Sequence, residues 1–248
     1  MPAPETTLAR PHVSVIVPVL NEAPRLARTI ETIDAARGSI EVIVVDGGSD
    51  DGSGSLASRL GACVVHTPIR QRAAQMNAGA AIATAPVLLF LHADTRLPPG
   101  WLQALRAELE SDTSIVGGAF RRRFDSPSRF LRVTCWMAEW RGRHLGTFLG
   151  DQAMFVRAST FHALGGFAAL DRCEDLDLSR RLAQVGRTTL LDGVVISSAR
   201  RFARRGPLLQ TLHDFAVATR FLVSTPGSDG TPAAIAPRSP TEASPLRP

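Results

Sequence analysis

The feature that most constrains this chain is a short, wholly apolar segment that polar residues follow at once. Residues 87–91, Val-Leu-Leu-Phe-Leu, read as a strand buried on both faces, as in a parallel sheet. Ligands of open parallel sheets bind beyond the carboxyl ends of the strands. His92 and Asp94, two residues apart on an extended chain, are therefore predicted to face a site together. A simpler interpretation is that Asp94 only starts a turn.

The same pattern repeats through the N-terminal half of the chain. Strand patterns and helical spacings alternate, with strands at 13–19, 40–45 and 63–65 and helices at 23–33, 55–60 and 70–83. Each strand and the helix that follows it together span about 25 to 30 residues, as in right-handed βαβ units. The sequence therefore predicts an α/β fold, with a mostly parallel sheet and helices on both faces.

Composition excludes several classes of function. All 28 basic residues are arginine, so no lysine is available for a Schiff base or a phosphate-binding Walker loop. The net charge of +5 accompanies no recognisable nucleic-acid-reading motif, and we expect no nucleic-acid partner. A dinucleotide site is disfavoured, because no G-x-G-x-x-G follows the first strand.

The termini and cysteines favour a cytoplasmic protein. Residues 1–12 lack the apolar core of a signal peptide and are expected to be flexible, and the Pro- and Ser-rich residues 224–248 are expected to be disordered. No apolar run is long enough to cross a membrane. The three cysteines lack zinc spacing and do not suggest a disulfide framework.

Polar residues also follow the first two strands. Asn21 and Glu22 come after the first, and Asp46 and Gly48 end the second, at the same predicted sheet edge as Asp94. An Asp at the end of a second strand commonly bonds a nucleoside, and glycine lets the backbone approach a ligand. An ordinary Asp-Gly turn is the alternative for this segment.

The C-terminal half supplies charged clusters and two amphipathic helices. Arg121–Arg123 follow a strand and either point into the cleft or lie on a solvated edge. The helix at 130–140 is expected to pack in the core, with an acceptor-site wall or a membrane-facing patch as alternatives. The helix at 207–223 is expected to pack as well, although its flanking arginines permit peripheral contact with the inner face of a membrane.

Three acids fall within four residues at 174–177. Helix capping explains some of them, since acids are stabilised at a helix N-terminus. Their mutual repulsion should raise at least one pKa or require a cation. The polybasic run at 200–205 is a candidate for neutralising phosphate.

Taken together, these segments resemble the family 2 glycosyltransferases in order and spacing. The segments that carry the resemblance are 15–22, 44–53, 75–79, 89–94 and 174–175. Residues 150–152, 165–167 and 198–201 look like a bacterial subgroup whose substrates are mostly unassigned. The resemblance implies a Rossmann-like GT-A fold over 13–223, with a nucleotide-binding half at about 13–96 and an acceptor half at about 97–223.

The resemblance also implies roles for individual residues. Asp175 would be the general base, and Asp94 would hold Mg²⁺ or Mn²⁺, with His92 in place of the first Asp of the usual D-x-D. The other donor-binding candidates are Pro18, Asn21, Glu22, Asp46, Gly48, Arg70, Asn77, Arg200 and Arg201. The acceptor-side candidates are Gly150, Asp151, Gln152 and Glu174.

The implied reaction transfers one sugar from a nucleotide-sugar donor to an acceptor hydroxyl, with inversion at the anomeric carbon. A cation would stabilise the leaving diphosphate and a carboxylate would deprotonate the hydroxyl. Residues 198–202 stand where processive members carry Gln-x-x-Arg-Trp, which favours a single transfer. The alternatives are a nucleotidyltransferase that makes nucleotide-sugars and a nucleotide-sugar-binding module with weak or no catalysis.

Overall fold

The computed structural model describes residues 11–34 and 39–224, which form a mixed sheet with helices. The strands are β1 (Val13–Val19), β2 (Ile40–Asp46), β3 (Cys63–His66), β4 (Val87–Phe90), β5 (Thr95–Arg96), β6 (Ile115–Phe124), β7 (Met154–Arg157) and β8 (Arg187–Ser197). The helices are α1 (Ala23–Asp34), α2 (Ser53–Arg59), α3 (Arg72–Ile82), α4 (Trp101–Ser111), α5 (Arg129–Leu145), α6 (Ala158–Ala163), α7 (Glu174–Val185), α8 (Arg200–Arg205) and α9 (Pro207–Ser224). A 3₁₀ turn spans Gly150–Gln152. The expectations for the tail at 225–248 and for residues 1–10 lie outside the described residues.

The strands form one sheet in the order β3-β2-β1-β4-β7-β6-β8-β5. The first four are parallel to one another, as are β6 and β8. β7 runs antiparallel to both of its neighbours, and β5 antiparallel to β8. The predicted mixed, mostly parallel sheet is confirmed.

Each face of the sheet carries its own apolar core. Val15 and Val17 of β1 pack with helices α1 and α4 on one face, whereas Ile16 and Leu88 pack with α3, α6 and α7 on the other. Strands that are apolar on both sides need cover on both sides, because side chains alternate between the faces. The prediction of helices on both faces is confirmed.

Two segments differ from the sequence expectations near the sheet edge. β4 ends at Phe90, and the N–H of Thr95 donates to the carbonyl of His92 at 3.0 Å, so His92 and Asp94 belong to a turn rather than to an extended chain. The strand alternation from which a common direction was predicted therefore does not apply to them. β6 also continues beyond Phe120 through the arginine run.

The amphipathic helices α5 and α9 also differ from expectation. The core interpretation of α5 is wrong for Val133, Trp136, Met137 and Trp140, because their side chains lie on the outer face and are exposed. The apolar residues along α9 are exposed too, at Leu208, Leu209, Leu212 and Phe215. Within the described residues, no helix combines the length and the hydropathy that a membrane span requires.

Candidate active site

The loops that follow β1 and β2 are held together by hydrogen bonds between their polar residues. The N–H of Asn21 donates to Ser49 Oγ at 3.0 Å, and Asn21 Oδ1 accepts from the N–H of Asp50 at 3.0 Å. The N–H of Glu22 donates to Ser53 Oγ at 3.0 Å. Asn21 has a left-handed backbone with φ 57°, which Asn tolerates better than most residues. The two loops therefore form one fixed rim at the sheet edge.

Asp46 is buried at the end of β2 and stabilises the turn that follows it. Its Oδ1 accepts from the N–H of Ser49 at 2.8 Å and from Ser49 Oγ at 2.6 Å, and its Oδ2 lies 3.7 Å from His66 Nδ1. Gly48 forms the tip of the turn with φ +85°, and no atom lies within 4 Å of where its Cβ would be. The turn interpretation therefore describes this segment, while its tip stays open to a ligand.

Gln75 is a structural residue for which the sequence reasoning gave no role. Its side chain is buried, and its Nε2 donates to the carbonyl of Val19 at 3.1 Å. A Cβ on Gly47 would lie 2.1 Å from this Nε2, so the glycine is required by close packing. The available signal was a polar residue on the apolar face of a predicted helix, since buried polar groups need a partner.

Arg200 brings two of the predicted donor-site carboxylates together. Its Nη1 donates to Glu22 Oε2 at 2.8 Å, its Nη2 contacts Glu22 Oε1, and its Nε lies 3.3 Å from Asp94 Oδ2. These groups adjoin an open cleft of about 360 Å³, which is lined by Leu20, Asn21, Glu22, Arg200 and Arg201. The cleft is therefore polar, and both carboxylates converge on one cationic group.

The surroundings of Asp94 fit a divalent cation held jointly with a phosphate. Mg²⁺ sites of this kind use one or two carboxylates and complete the coordination with phosphate oxygens and water. Asp94 and Glu22 supply two carboxylates at one guanidinium, although the described residues contain no group of three or more metal-binding side chains. Burial raises the pKa of Asp94, and the charge of Arg200 opposes that rise.

His92 faces a different part of the site. A Cβ on Gly150 would lie 2.8 Å from His92 Nε2 and 3.3 Å from Asp175 Oδ2, which places the imidazole beside α7. Burial, followed by the charge of Arg72, lowers the pKa of His92 from 6.5 to about 3. The imidazole is therefore neutral at physiological pH. In the contacts described, His92 lies beside Gly150, whereas the carboxylate of Asp94 lies at Arg200.

Asp175 lies in the first turn of α7, beside a small cavity. Its Oδ2 accepts from the N–H of Gly150 at 2.6 Å, and its Oδ1 accepts from the N–H of Leu176 at 2.7 Å. The cavity is lined by Met76, Phe90, His92, Gly150, Met154, Phe167, Glu174 and Asp175. Two backbone donors thus fix the orientation of a carboxylate at the edge of this cavity.

The neighbouring acids have different environments. Burial raises the pKa of Glu174, the charge of Asp175 raises it further, and Arg72, whose Nη1 lies 3.3 Å from Oε1, opposes both effects. The repulsion that was predicted to raise a pKa within the acidic cluster therefore acts at Glu174 only as the second cause, after burial. Asp177 instead accepts a hydrogen bond from Arg181 Nε at 2.8 Å.

The predicted acceptor-side residues Asp151 and Gln152 are held within the protein. Arg122 Nη1 donates to Asp151 Oδ2 at 2.5 Å, and both side chains are largely buried. Gln152 is fully buried, donates to the carbonyl of Phe120 at 3.3 Å and accepts from the N–H of Leu149 at 3.1 Å. Gln152 is therefore corrected to a structural residue, because both ends of its amide hold the 3₁₀ turn against β6.

Asn77 is likewise a structural residue rather than a donor contact. Its Nδ2 donates to the carbonyl of Phe167 at 2.9 Å, and its Oδ1 accepts from the N–H of Phe167 at 2.9 Å. The amide is thus occupied on both sides. Arg70 lies exposed in the loop before α3, and Arg201 lies at the cleft, 3.6 Å from Asp214.

The structure therefore gathers the predicted residues into neighbouring groups rather than one cluster. Glu22, Asp94 and Arg200 meet at the cleft, and His92, Glu174 and Asp175 line the cavity. The turn at residues 92–95 joins the two groups, because it carries both His92 and Asp94. The carboxylate of Asp46 is held within its own turn and contacts neither group in the hydrogen bonds described.

A mixed sheet whose N-terminal half is parallel, with polar residues at the strand ends, is an α/β fold of the GT-A class. The model of the family described as glycosyl transferase family 2 matches residues 14–172, which is more than half of the chain. The chain belongs to this family, and the resemblance seen in the sequence is confirmed.

Curated relatives are bacterial glycosyltransferases. An uncharacterized glycosyltransferase of Mycobacterium tuberculosis is 34% identical over 116 residues, covering 47% of this chain and 51% of the relative. An undecaprenyl-phosphate 4-deoxy-4-formamido-L-arabinose transferase of Serratia proteamaculans is 28% identical over 214 residues, covering 81% and 59%. The chain thus spans about half the length of the curated relatives it matches.

Solved structures share the fold. A mannosyltransferase from Pyrobaculum calidifontis in complex with GDP-Man and Mn²⁺ aligns with a TM-score of 0.61 at 24% identity, covering 79% of this chain and 59% of that one. TarS 1–349 of S. aureus in complex with UDP-GlcNAc aligns with a TM-score of 0.61 at 15% identity, covering 75% and 58%. At these identities the likeness establishes the GT-A fold.

Proposed function

We propose that the protein is an inverting glycosyltransferase that moves a single sugar from a nucleoside diphosphate sugar to an acceptor hydroxyl. The observation that carries this proposal is the position of Asp175, a carboxylate fixed by two backbone N–H groups at a small cavity that is also lined by His92, two residues before Asp94. Its fixed orientation suits it to accept a proton from an incoming hydroxyl. Family membership supports the same reaction.

The reaction is a single displacement. The acceptor oxygen attacks the anomeric carbon while its proton passes to Asp175, and the C–O bond to the diphosphate breaks with its electron pair. The configuration inverts because only one displacement takes place. Glu174, whose pKa is raised by burial and then by the charge of Asp175, lies next to Asp175 in the chain and pairs with Arg72.

The donor would lie in the cleft beside Arg200. Arg200 and Arg201 would bind the diphosphate, since planar guanidinium groups suit phosphate oxygens. The open turn at Gly48 would approach the nucleoside, together with Asp46 and the rim formed by Asn21 and Glu22. Pro18 at the end of β1 and the exposed Arg70 remain further candidates for nucleoside contacts.

Mg²⁺ or Mn²⁺ fits the donor site at Asp94, with Glu22 as its neighbour. A bound ion would stabilise negative charge on the leaving diphosphate. The Mn²⁺ in the mannosyltransferase structure supports a metal-assisted reaction in this chain. Asp94 would be the residue that orients the ion relative to the donor.

A single transfer and a peripheral membrane location complete the proposal. Residues 198–202 follow β8 and include the start of α8, in place of the Gln-x-x-Arg-Trp of processive members. The exposed apolar residues of α9 would contact the inner face of the cell membrane. The relative named for undecaprenyl-phosphate supports an acceptor presented at that surface.

A donor screen followed by product identification tests the proposal. Thermal shift with nucleoside diphosphates and their sugars, each with and without Mn²⁺, should reveal selective stabilisation by one base. Turnover should then release a nucleoside diphosphate. Release of pyrophosphate would identify a nucleotidyltransferase instead, and donor binding without turnover over a broad acceptor panel would identify a binding module.

A further inference from the structure

The most unusual surface of the molecule is formed by exposed apolar side chains on α5 and α9, two helices that contact each other. On α5 the side chains of Trp136, Met137 and Trp140 are 63%, 54% and 50% exposed. On α9 Leu209 and Phe215 are each 67% exposed. Monomeric proteins rarely leave so many large apolar groups uncovered side by side, and such patches mark interaction sites. We refer to this surface as the α5–α9 face.

The exposed positions on α5 have helical spacing and form one stripe. Phe130, Val133, Met137 and Trp140 follow one another at intervals of three or four residues, and Trp136 lies beside them. The opposite stripe of the same helix is buried, at Leu131, Cys135, Ala138 and Gly142. The helix is therefore anchored on the sheet and presents a second, aromatic stripe outward.

Charge around the face is strongly one-sided. Helices α5, α8 and α9 contain nine of the 28 arginines of the chain but only two of its 23 acids. Both acids are paired with arginine: Glu139 lies 2.9 Å from Arg121 Nε, and Asp214 lies 3.6 Å from Arg201. Exposed tryptophans flanked by arginines match the interface between water and an anionic lipid bilayer.

We infer that the α5–α9 face docks on an anionic lipid bilayer, with the tryptophans of α5 as its principal anchor. This deepens the proposed membrane contact of α9, on which it rests, and assigns the leading part to a helix in the acceptor half. Apolar burial would draw Trp136, Trp140 and Phe215 into the headgroup region. The exposed arginines Arg129 and Arg132 of α5 and Arg220 of α9 would lie at the level of the lipid phosphates and favour anionic over neutral lipid.

Docking on this face would also orient the active site. α8 follows β8 directly and carries Arg200 at the donor cleft, and its Arg201 contacts Asp214 of α9. Arg172, two residues before α7, lies 3.0 Å from His213 of α9 through its Nη1. The face is thus joined through short contacts to the elements that hold both the cleft and Asp175.

Intrinsic fluorescence gives a direct test, because the chain has three tryptophans and Trp101 is buried. Purified full-length protein is mixed with vesicles of phosphatidylcholine, either alone or with roughly one third phosphatidylglycerol. We expect a blue shift and co-sedimentation with the anionic vesicles, about tenfold stronger than with the neutral ones and weakened by salt. Lipids brominated near the headgroup should quench the emission.

Two pairs of substitutions separate the helices. Trp136→Ser with Trp140→Ser should weaken binding to anionic vesicles about tenfold. Ile82→Ser with Val185→Ser is the matched control, because these apolar side chains are similarly exposed on α3 and α7, and it should bind like the parent protein. Unchanged melting curves for both variants would show that the fold is intact.

Several results would overturn the inference. Failure to bind anionic vesicles would exclude the bilayer as the occupant, and a vesicle-free dimer that the Trp136→Ser, Trp140→Ser pair dissociates would identify a second copy instead. If Leu208→Ser with Leu209→Ser abolished binding while the tryptophan pair did not, α9 alone would be the contact. Because no donor is present, these outcomes are independent of whether sugar transfer is observed.

Discussion

Arg200 and Glu22 are 178 positions apart in the sequence, yet both terminal nitrogens of the arginine contact the carboxylate of the glutamate. This contact joins the loop after β1 to the start of α8. It also places the guanidinium where it touches Asp94. The open cleft is thus lined in part by a residue that no local pattern connects with the first strand.

Replacing Arg200 by lysine should weaken use of the donor. Lysine keeps the charge but lacks the planar fork that contacts a carboxylate or a phosphate with two parallel hydrogen bonds. We expect kcat/KM for the donor to fall about tenfold to a hundredfold, with a change in stability below about 1 kcal/mol because the arginine is partly exposed. Steady-state kinetics and urea titration measure the two effects.

The matched control is Arg106→Lys, since Arg106 forms an exposed ion pair with Glu110 on α4, far along the chain from the cleft residues. It should leave both quantities unchanged within error. Equal kinetic losses in the two variants would remove Arg200 from donor binding.

Replacing Asp175 by asparagine should abolish most of the turnover while donor binding persists. The amide keeps the size of the side chain but cannot accept the proton of the acceptor hydroxyl. General-base catalysis typically contributes a factor of about 10² to 10⁴, and kcat should fall by an amount in that range. Donor affinity, measured by calorimetry, should change less than about twofold, since affinity is set by the cleft.

Asp177→Asn provides the control for this prediction. Asp177 lies in the same helical turn but pairs with Arg181, and its loss should lower stability rather than turnover. Unchanged turnover in Asp175→Asn, or an equal loss in Asp177→Asn, would contradict the role of Asp175.

The sheet could be predicted from the sequence because its determinants are local. The segments that form β1, β2 and β4 are apolar on both faces, and the segments between them have the apolar spacing of helices. This alternation predicts an α/β fold. The roles of the site residues were harder to predict, because the same type of polar side chain can either bind a ligand or hold the backbone in place. Asn77 and Gln152 are polar residues beside the site that turn inward to backbone partners 90 and 32 positions away, and no periodicity reveals such partners.

The misplaced α5 shows a second limit. Helical spacing correctly indicated an amphipathic segment, but Trp136 and Trp140 belong to a second apolar stripe that faces outward. A hydrophobic pattern indicates which side chains share a face of a helix, but it does not indicate whether that face is buried or exposed.

Disrupting the ion pair between Asp151 and Arg122 should destabilise the protein strongly. Both side chains are largely buried, and Asp151→Asn leaves the guanidinium without its partner. Removal of one member of a buried pair typically costs about 3 to 5 kcal/mol. The pair between Arg187 and Asp112 at the surface is the comparison, and Asp112→Asn should cost much less stability. Urea unfolding at pH 7 measures both.

This ion pair also predicts a pH dependence. Burial opposes ionisation of Asp151, but the charge and hydrogen bond of Arg122 prevail and lower its pKa below the ordinary 3.8. The unfolded chain therefore takes up this proton at a higher pH than the folded protein. The stabilisation is fully present above pH 3.8 and is lost as the pH falls through the folded pKa. The stability advantage of the parent protein over Asp151→Asn should shrink in that acidic window, whereas a constant difference would contradict it.

Replacing Asn77 by alanine should affect stability rather than donor use. The side chain of Asn77 donates to the carbonyl and accepts from the N–H of Phe167, and alanine leaves both backbone groups without these partners. Unmade hydrogen bonds of buried groups cost about 1 to 3 kcal/mol each, so the urea midpoint should fall clearly. The KM for the donor should stay within about twofold of the parent value. KM rises when a contact that binds the donor is lost, and we expect Asn77 to make no such contact.

Gln71→Ala, which removes an exposed hydrogen bond to Asp171 at 3.3 Å, is the control and should change neither stability nor KM. A raised KM with unchanged stability in Asn77→Ala would restore Asn77 as a donor contact.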